Sequence, residues 1–382
     1  MTMPQFSPGL EGVVAAETEI SEVDGQGGRL IYRGGYLIQD LAATCSYEEV
    51  AYLLLEGKLP DREQLEEFKR QLAEGRRLTD PARKTLAAAP TDTDPMDVLK
   101  AVFSAQTYSA RLAKPTLEEA IRHTAVFPTI VGGFFRRRHG QEPVEPKDGL
   151  GHAANLLYMM HGQEPQPDQV RWVDQYLLLL ADHGLNASTF TTRVVASTGS
   201  DLASALVGGI AALKGPAHGG AATGAMNMLE KIGSVENAEP WLKSALERHE
   251  RFMGFGHRVY RTYDPRAKIL RELAREANPK LFPVAERTEE VALRLLKEKH
   301  PERPNATNVD YWSSVVLAGA GIPKDFFTCV FAISRVAGWS AHVLELMKDL
   351  RIIRPASVWK GPEPNAKPLP LEQRNHGGSG AR

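Results

Sequence analysis

Apolar residues recur along most of the chain at three- and four-residue spacing, a pattern that predicts one helix after another. Ser46 and Glu49 form a capping box, and Val50, Leu53 and Leu54 share a helical face until Gly57 and Pro60 end it. Asp61 to Ala73 is charged and amphipathic, Thr79-Asp80-Pro81 and Thr93-Asp94-Pro95 are cap-plus-proline starts, and Thr116 to Phe135 is a long periodic run. The same spacing predicts helices at Val170 to Ala181, Ser200 to Leu213, Trp241 to Phe252, Pro265 to Ala277, Thr288 to Lys299, Asn305 to Ala320 and Phe326 to Leu350. The proline-rich gaps at 141–147 and 165–167 read as helix connections. Period-two signal is confined to the stretch from Gly9 to Ile38, where Val13-Val14, Leu30-Ile31-Tyr32 and Tyr36-Leu37-Ile38, set apart by glycine pairs, predict short strands or a small hairpin. Beyond Arg354-Pro355 the chain turns rich in Pro, Gly and Lys, as expected of a tail that frays or drapes over a neighbour.

Composition narrows the function classes. With 382 residues, there is enough chain for a sizeable core in two domains or one large one. Lys+Arg 46 balance Asp+Glu 47, so nothing points to a nucleic-acid or acidic-membrane partner, and the basic run Arg136 to Arg138 reads as a solvated helix end. Two distant cysteines, Cys45 and Cys329, make neither a disulfide framework nor a metal spacing, which points to a reducing cytoplasm. The N-terminus lacks the pattern of a secretory signal, and the apolar stretches at 176–180 and 194–213 are too short or too interrupted to span a membrane.

Candidate chemistry gathers between Lys214 and Arg266. His218 lies in KGPAHGG and His257 in GFGHRVYRTYDPR, each cushioned by glycines that let backbone and imidazole approach a ligand. Arg258, Arg261 and Arg266 follow, guanidinium forks suited to carboxylates or phosphates. His183, in ADHGLNAS, is a third histidine beside a glycine at a helix junction. The remaining histidines considered, His123, His139, His249, His300 and His376, read as packing or surface residues. Asp310 carries two readings: an N-cap before an apolar run, or a general base whose pKa is raised by Tyr311 and Trp312 beside it. Arg335, inside the apolar segment CVFAISRVAGW, requires an anionic partner, which is either an internal acid or a bound carboxylate. Phosphate-loop, dinucleotide, zinc-protease and nucleophile-elbow signatures are missing from the sequence.

Taken in order, ADHGLNAS, KGPAHGGA, GFGHRVYRTYDPRA, NVDYW, FAISRVAGW and RIIRP resemble the citrate synthases, in the short bacterial and archaeal style shared with 2-methylcitrate synthases, from about Gly9 to Arg354. The resemblance implies an all-α, mainly helical fold with a small N-terminal β element. It further implies two domains, a large one from 1–218 and 329–382 and a small one from 219–328 that binds coenzyme A and carries Asp310. His218 would donate a hydrogen bond to the thioester oxygen of acetyl-CoA while Asp310 takes a methyl proton, and His257 would polarise the ketone of oxaloacetate. His183, Arg266, Arg335 and Arg354 would hold the oxaloacetate carboxylates together with His218 and His257. Phe255, Gly256, His257 and Arg261 would meet coenzyme A, which enters as a substrate, with no metal or bound cofactor. The implied assembly is a cytoplasmic homodimer in which Arg354 reaches the partner's site.

Two features depart from the common family pattern: Ala222-Thr223 after the His218 motif, and Tyr-Trp after Asp310 where Phe-Tyr is more usual. Both are expected to tune acyl-chain choice or the Asp310 pKa. Propionyl-CoA in place of acetyl-CoA, as in a 2-methylcitrate synthase, is the alternative, since one methylene is worth only about 1–3 kcal/mol of discrimination. A noncatalytic helical scaffold that binds coenzyme A is the rival from another class; it predicts a broken site, whereas His218, His257 and Asp310 are all present.

Overall fold

The computed structural model describes residues 6–108, 114–256, 260, 262–302, 305–362, 367–368 and 370–374; His257, Arg258, Arg261 and His376 lie outside them. The chain divides into a main unit, residues 18–353, and a second unit made of the end segments 1–17 and 354–382. No described residue of the second unit is buried, and Arg354 is exposed within it. Val13-Val14 form no strand; they lie exposed, without a strand to pair with among the described residues.

The main unit begins with an antiparallel sheet, β1 Ser21–Asp24, β2 Arg29–Tyr32 and β3 Tyr36–Leu37, paired Val23 to Leu30 and Ile31 to Leu37. Leu30 and Tyr32 point inward, and the Tyr32 hydroxyl donates to the Asp182 carbonyl at 3.0 Å. Ile38, expected at the end of a strand, instead opens helix α1, Ile38–Thr44.

Local capping starts the next helices as the sequence predicts. Ser46 and Glu49 close a reciprocal box at α2 (Tyr47–Glu56), and Asp61 with Gln64 does the same for α3 (Arg62–Gly75). Thr79 and Asp94 cap α4 (Asp80–Ala88) and α5 (Pro95–Gln106), while Thr116 and Glu119 box α6 (Leu117–Arg138). Arg136 to Arg138 are half-buried rather than fully solvated. Arg138 donates to the carbonyls of Thr91 and Thr93 at 2.9 and 2.5 Å, pairs with Asp325 and lies 5.3 Å over the Phe134 ring, while Arg137 donates to the Ala87 carbonyl at 2.6 Å.

Three later helices carry no clear periodicity in the sequence. Helix α7 (His152–His161) is apolar nearly all round and buried on every side, α9 (Ala187–Ala196) is rich in Thr and Val, and α11 (Ala221–Ile232) opens on small residues after the His218 turn. Between them, α8 (Pro167–Leu180) and α10 (Leu202–Leu213) fall where expected. Helix α12 runs Ala238–Glu247, so the predicted extension to Phe252 is wrong: His249 takes a left-handed backbone conformation (φ 58°) that ends it. Helices α13 (Pro265–Ala277), α14 (Phe282–Lys299) and α15 (Val309–Gly319) follow, then α16 (Phe327–Leu346). Of the 20 residues of α16, 17 are buried, among them Arg335 and His342, so this is a central helix. Its apolar length would suit a bilayer, yet within the fold it is packed on all sides.

Candidate active site

Four of the predicted site residues, His218, Arg266, Asp310 and Arg335, share one electrostatic neighbourhood centred on Arg335, and His183 approaches it through Tyr260, which feels the Arg266 charge. His218 follows α10 in a turn whose backbone closes through its own N–H to the Gly215 carbonyl at 2.9 Å. A Cβ on Gly219 would lie 2.3 Å from the Leu213 carbonyl oxygen, so only glycine permits this turn. The imidazole Nε2 is 2.8 Å from the Ser188 hydroxyl, and Ser188 also accepts the Trp339 indole N–H at 3.1 Å. Asn186, the N-cap of α9, already takes the backbone N–H groups of Ser188 and Thr189 on its side-chain oxygen, both at 3.1 Å. The Ser188 hydroxyl stands 2.8 Å from that same Asn186 oxygen and 2.8 Å from His218 Nε2, so Ser188 links the cap of α9 to the imidazole. Burial, reinforced by Arg335, lowers the His218 pKa to about 4, so the ring is a neutral donor near pH 7.

Asp310 sits one residue inside α15. It is not the cap: Asn308 fills that role, its side chain accepting the Asp310 N–H at 3.1 Å. One Asp310 carboxyl oxygen, Oδ1, is buried without a hydrogen-bond partner among the described residues. Burial raises its pKa to about 6 and Asp264 adds to the rise, against the opposing fields of Arg266 and Arg335. The segment that leads toward residue 257 is laced to the same place. Phe255 bridges Thr307, Gly256 N–H donates to the Ala306 carbonyl at 2.8 Å, and Asn308 donates to the Gly256 carbonyl at 2.9 Å. Gly254, at φ 87°, lets this strand pass against the Tyr311 side chain.

The two buried arginines differ. Arg266 is gripped by Asp264, its Nε and Nη2 donating to the two carboxylate oxygens at 3.1 and 2.8 Å. The internal acid raises its pKa against the cost of burial. Arg335 has no such fork. Its Nε donates to the Leu180 carbonyl at 2.7 Å and its plane lies 4.7 Å over Phe331, but Nη1 is buried without a partner among the described residues. Burial pulls its pKa down to about 10. Of the two partners the sequence left open for Arg335, the internal acid is thus not in contact, although Asp182 lies close enough to act through space.

His183 Nε2 approaches the Tyr260 hydroxyl at 3.4 Å. Behind it, Asp182 is fully buried: burial alone would raise its carboxyl, but His342, Arg335 and the Ser21 hydroxyl hold it below the usual range. His342 Nε2 lies 3.3 Å from Asp182, and its Nδ1 faces Arg193, which pairs with Glu345 at 2.9 Å. Sequence reasoning missed Asp182, Ser188, Asp264, Trp339 and His342. The first three, and Trp339 at the end of FAISRVAGW, stand inside motifs it had quoted. His342 carried no local signal, because its partner is distant in sequence. The two cysteines are free, and no described cluster of His, Cys, Asp and Glu is arranged to hold a metal ion.

An uncharged imidazole, a desolvated carboxylate and a buried arginine whose Nη1 has no partner among the described residues make a site for removing a carbon-bound proton next to an anionic substrate. The family model described as "Citrate synthase, C-terminal domain" matches residues 9–356, and the chain belongs to the citrate synthase family. It is 40% identical to citrate synthase 2 of Bacillus subtilis over 96% of this chain and 98% of that one. It is 39% identical to the 2-methylcitrate synthase of Mycobacterium tuberculosis over 96% and 93%. Among solved structures, citrate synthase from Pyrobaculum aerophilum superposes with a TM-score of 0.88 at 40% identity, covering 96% of this chain and 95% of that one. The ternary complex of carboxymethyl coenzyme A and oxaloacetate with citrate synthase from Thermoplasma acidophilum gives 0.91 at 31% identity, covering 97% and 100%.

Proposed function

We propose that this chain condenses acetyl-CoA with oxaloacetate and hydrolyses the resulting citryl-CoA to citrate and coenzyme A, the entry step of the tricarboxylic acid cycle. The observation that carries the reading is a neutral His218 imidazole and a buried Asp310 oxygen without a hydrogen-bond partner among the described residues, both within the field of Arg335. Asp310 takes a proton from the thioester methyl while the His218 imidazole donates to the thioester oxygen, so that the enol forms without a free anion. The enol carbon bonds to the ketone carbon of oxaloacetate, whose oxygen gains a proton to become the citryl hydroxyl. His257 is the donor we assign to that oxygen. Water then cleaves the thioester, releasing citrate and the free thiol.

Arg335, with its open Nη1, and Arg266, His183 and the partner subunit's copy of Arg354 hold the oxaloacetate carboxylates in this reading. Phe255, Gly256, His257 and Arg261 meet coenzyme A, and no bound cofactor or metal takes part. We further propose that 219–328 forms a small domain against a large one of 1–218 and 329–382, and that the enzyme works as a cytoplasmic homodimer. The alternative substrate is propionyl-CoA, a reading supported by the similar identity to a 2-methylcitrate synthase.

Release of free thiol from acetyl-CoA and from propionyl-CoA, each with oxaloacetate, tests both. Preference for acetyl-CoA is expected, together with loss of turnover but not of oxaloacetate binding in Asp310→Asn. Preference for propionyl-CoA reassigns the substrate with the mechanism unchanged, and no turnover of either by folded protein overturns the proposal.

A further inference from the structure

Glu289 lies in the middle of α14, contributes nothing to the site directly, and is buried to 7% exposure. Its Oε1 accepts the Trp312 indole N–H at 2.9 Å and the Tyr263 hydroxyl at 3.0 Å, and its Oε2 accepts Arg271 Nε at 3.2 Å. The three donors come from different places: Trp312 from α15, two residues after Asp310; Arg271 from α13; and Tyr263 from the turn that delivers the Asp264–Arg266 fork. Phe282 stacks on Trp312 at 5.3 Å, and Arg271 lies 5.6 Å from the indole and 5.7 Å from the Phe282 ring, so the three side chains pack as one group.

We propose that Glu289 is a positioning residue for proton abstraction: by tying Trp312 and Tyr263 to one carboxylate, it fixes the separation between Asp310 and the Asp264–Arg266 pair. This rests on Asp310 being the base. The groups that face Asp310 electrostatically among the described residues are Arg266 and Asp264 of α13 and its cap, Arg335 of α16 and Tyr176 of α8. Of these, only the first two are tethered through Glu289; Arg335 and Tyr176 stand on helices that it does not touch. Asp310 Oδ1 has no hydrogen-bond partner among the described residues, so the Arg266 field is the principal influence favouring its ionised, basic form. Coulomb energy at an effective dielectric near 20 falls steeply at short range. Moving two charges from about 5 to about 6 Å apart shifts a pKa by about half a unit. A small slip of either tether therefore changes the fraction of competent base and its aim at the substrate methyl, while the carboxylate grip of Arg335 stays intact.

Three variants test this: Tyr263→Phe, which deletes one donor and keeps the ring, Trp312→Phe, which deletes the other donor and leaves a smaller aromatic ring, and Glu289→Gln, which keeps the oxygen that both donors share. The expected result for the two Phe variants is a three- to tenfold lower kcat, an acid limb of the pH–rate profile moved up by about half a pH unit, and unchanged oxaloacetate affinity. Glu289→Gln should restore the acid limb to its wild-type position even with reduced thermal stability. Unchanged kcat and acid limb in both Phe variants, or an oxaloacetate affinity that falls in step with kcat, overturns the proposal and leaves Glu289 a packing residue. Asp310→Asn separates the two levels: if it still turns over, the base assignment itself fails, whatever the other variants do.

Discussion

The open side of Arg335 makes a sharp prediction about the substitution Arg335→Met. Burial has drawn the guanidinium from its ordinary value down to about 10, a displacement equivalent to roughly 3 kcal/mol of cost for keeping this charge in an unliganded interior. Methionine removes that cost and fills much of the same volume. Against it stand the hydrogen bond to the Leu180 carbonyl, about 1 kcal/mol, and the contact with the Phe331 face, about 1–2 kcal/mol. These nearly cancel. The ligand-free variant should unfold in urea within about 1 kcal/mol of wild type, whereas breaking a paired buried charge costs about 3–5 kcal/mol. Oxaloacetate should tell the two proteins apart. At about 100 times its Kd it adds roughly 2.7 kcal/mol to the wild type by linkage, and the variant should gain almost nothing, its affinity having fallen by more than about 100-fold. Urea titrations at one fixed protein concentration, with and without oxaloacetate, measure both quantities. If the ligand-free variant loses 3 kcal/mol or more, Arg335 has a structural partner after all; if oxaloacetate still stabilises it fully, the arginine does not hold the substrate.

Ser188→Ala removes the hydroxyl that holds the His218 ring at Nε2, so kcat should fall about 10- to 100-fold with oxaloacetate affinity unchanged; a loss under twofold would show that the ring is oriented by other means. The pH dependence follows from two opposite displacements. Asp310, raised to about 6, must be ionised to act, while His218, lowered to about 4, stays neutral above that point. Hence kcat/KM for acetyl-CoA should decline about tenfold per pH unit below roughly pH 6, and a profile flat to pH 5 would contradict the base assignment.

What the sequence determined by itself was mostly local. Ser46 with Glu49, Asp61 with Gln64 and Thr116 with Glu119 satisfy backbone groups three residues away, so their spacing alone encodes the helix starts. The want of an anion at Arg335 was equally legible, because a charge inside an apolar run cannot be left without an explanation. Other matters belonged to the fold. Two polar residues near one helix start competed to cap it, and Asn308 rather than Asp310 won, which freed the carboxylate. The apolar run of α7 had no polar face to betray its period. Trp339 reaches Ser188 across 151 residues, and His342 reaches Asp182 across 160. Glu289 gathers donors from three separate segments. Hydrogen bonds within a turn are fixed by chain geometry, but desolvation and long-range partners exist only once packing has brought distant segments together and excluded water. The sequence could therefore supply the candidate acid, base and cations, and only the tertiary structure could decide which were neutral, which were paired and which were left open.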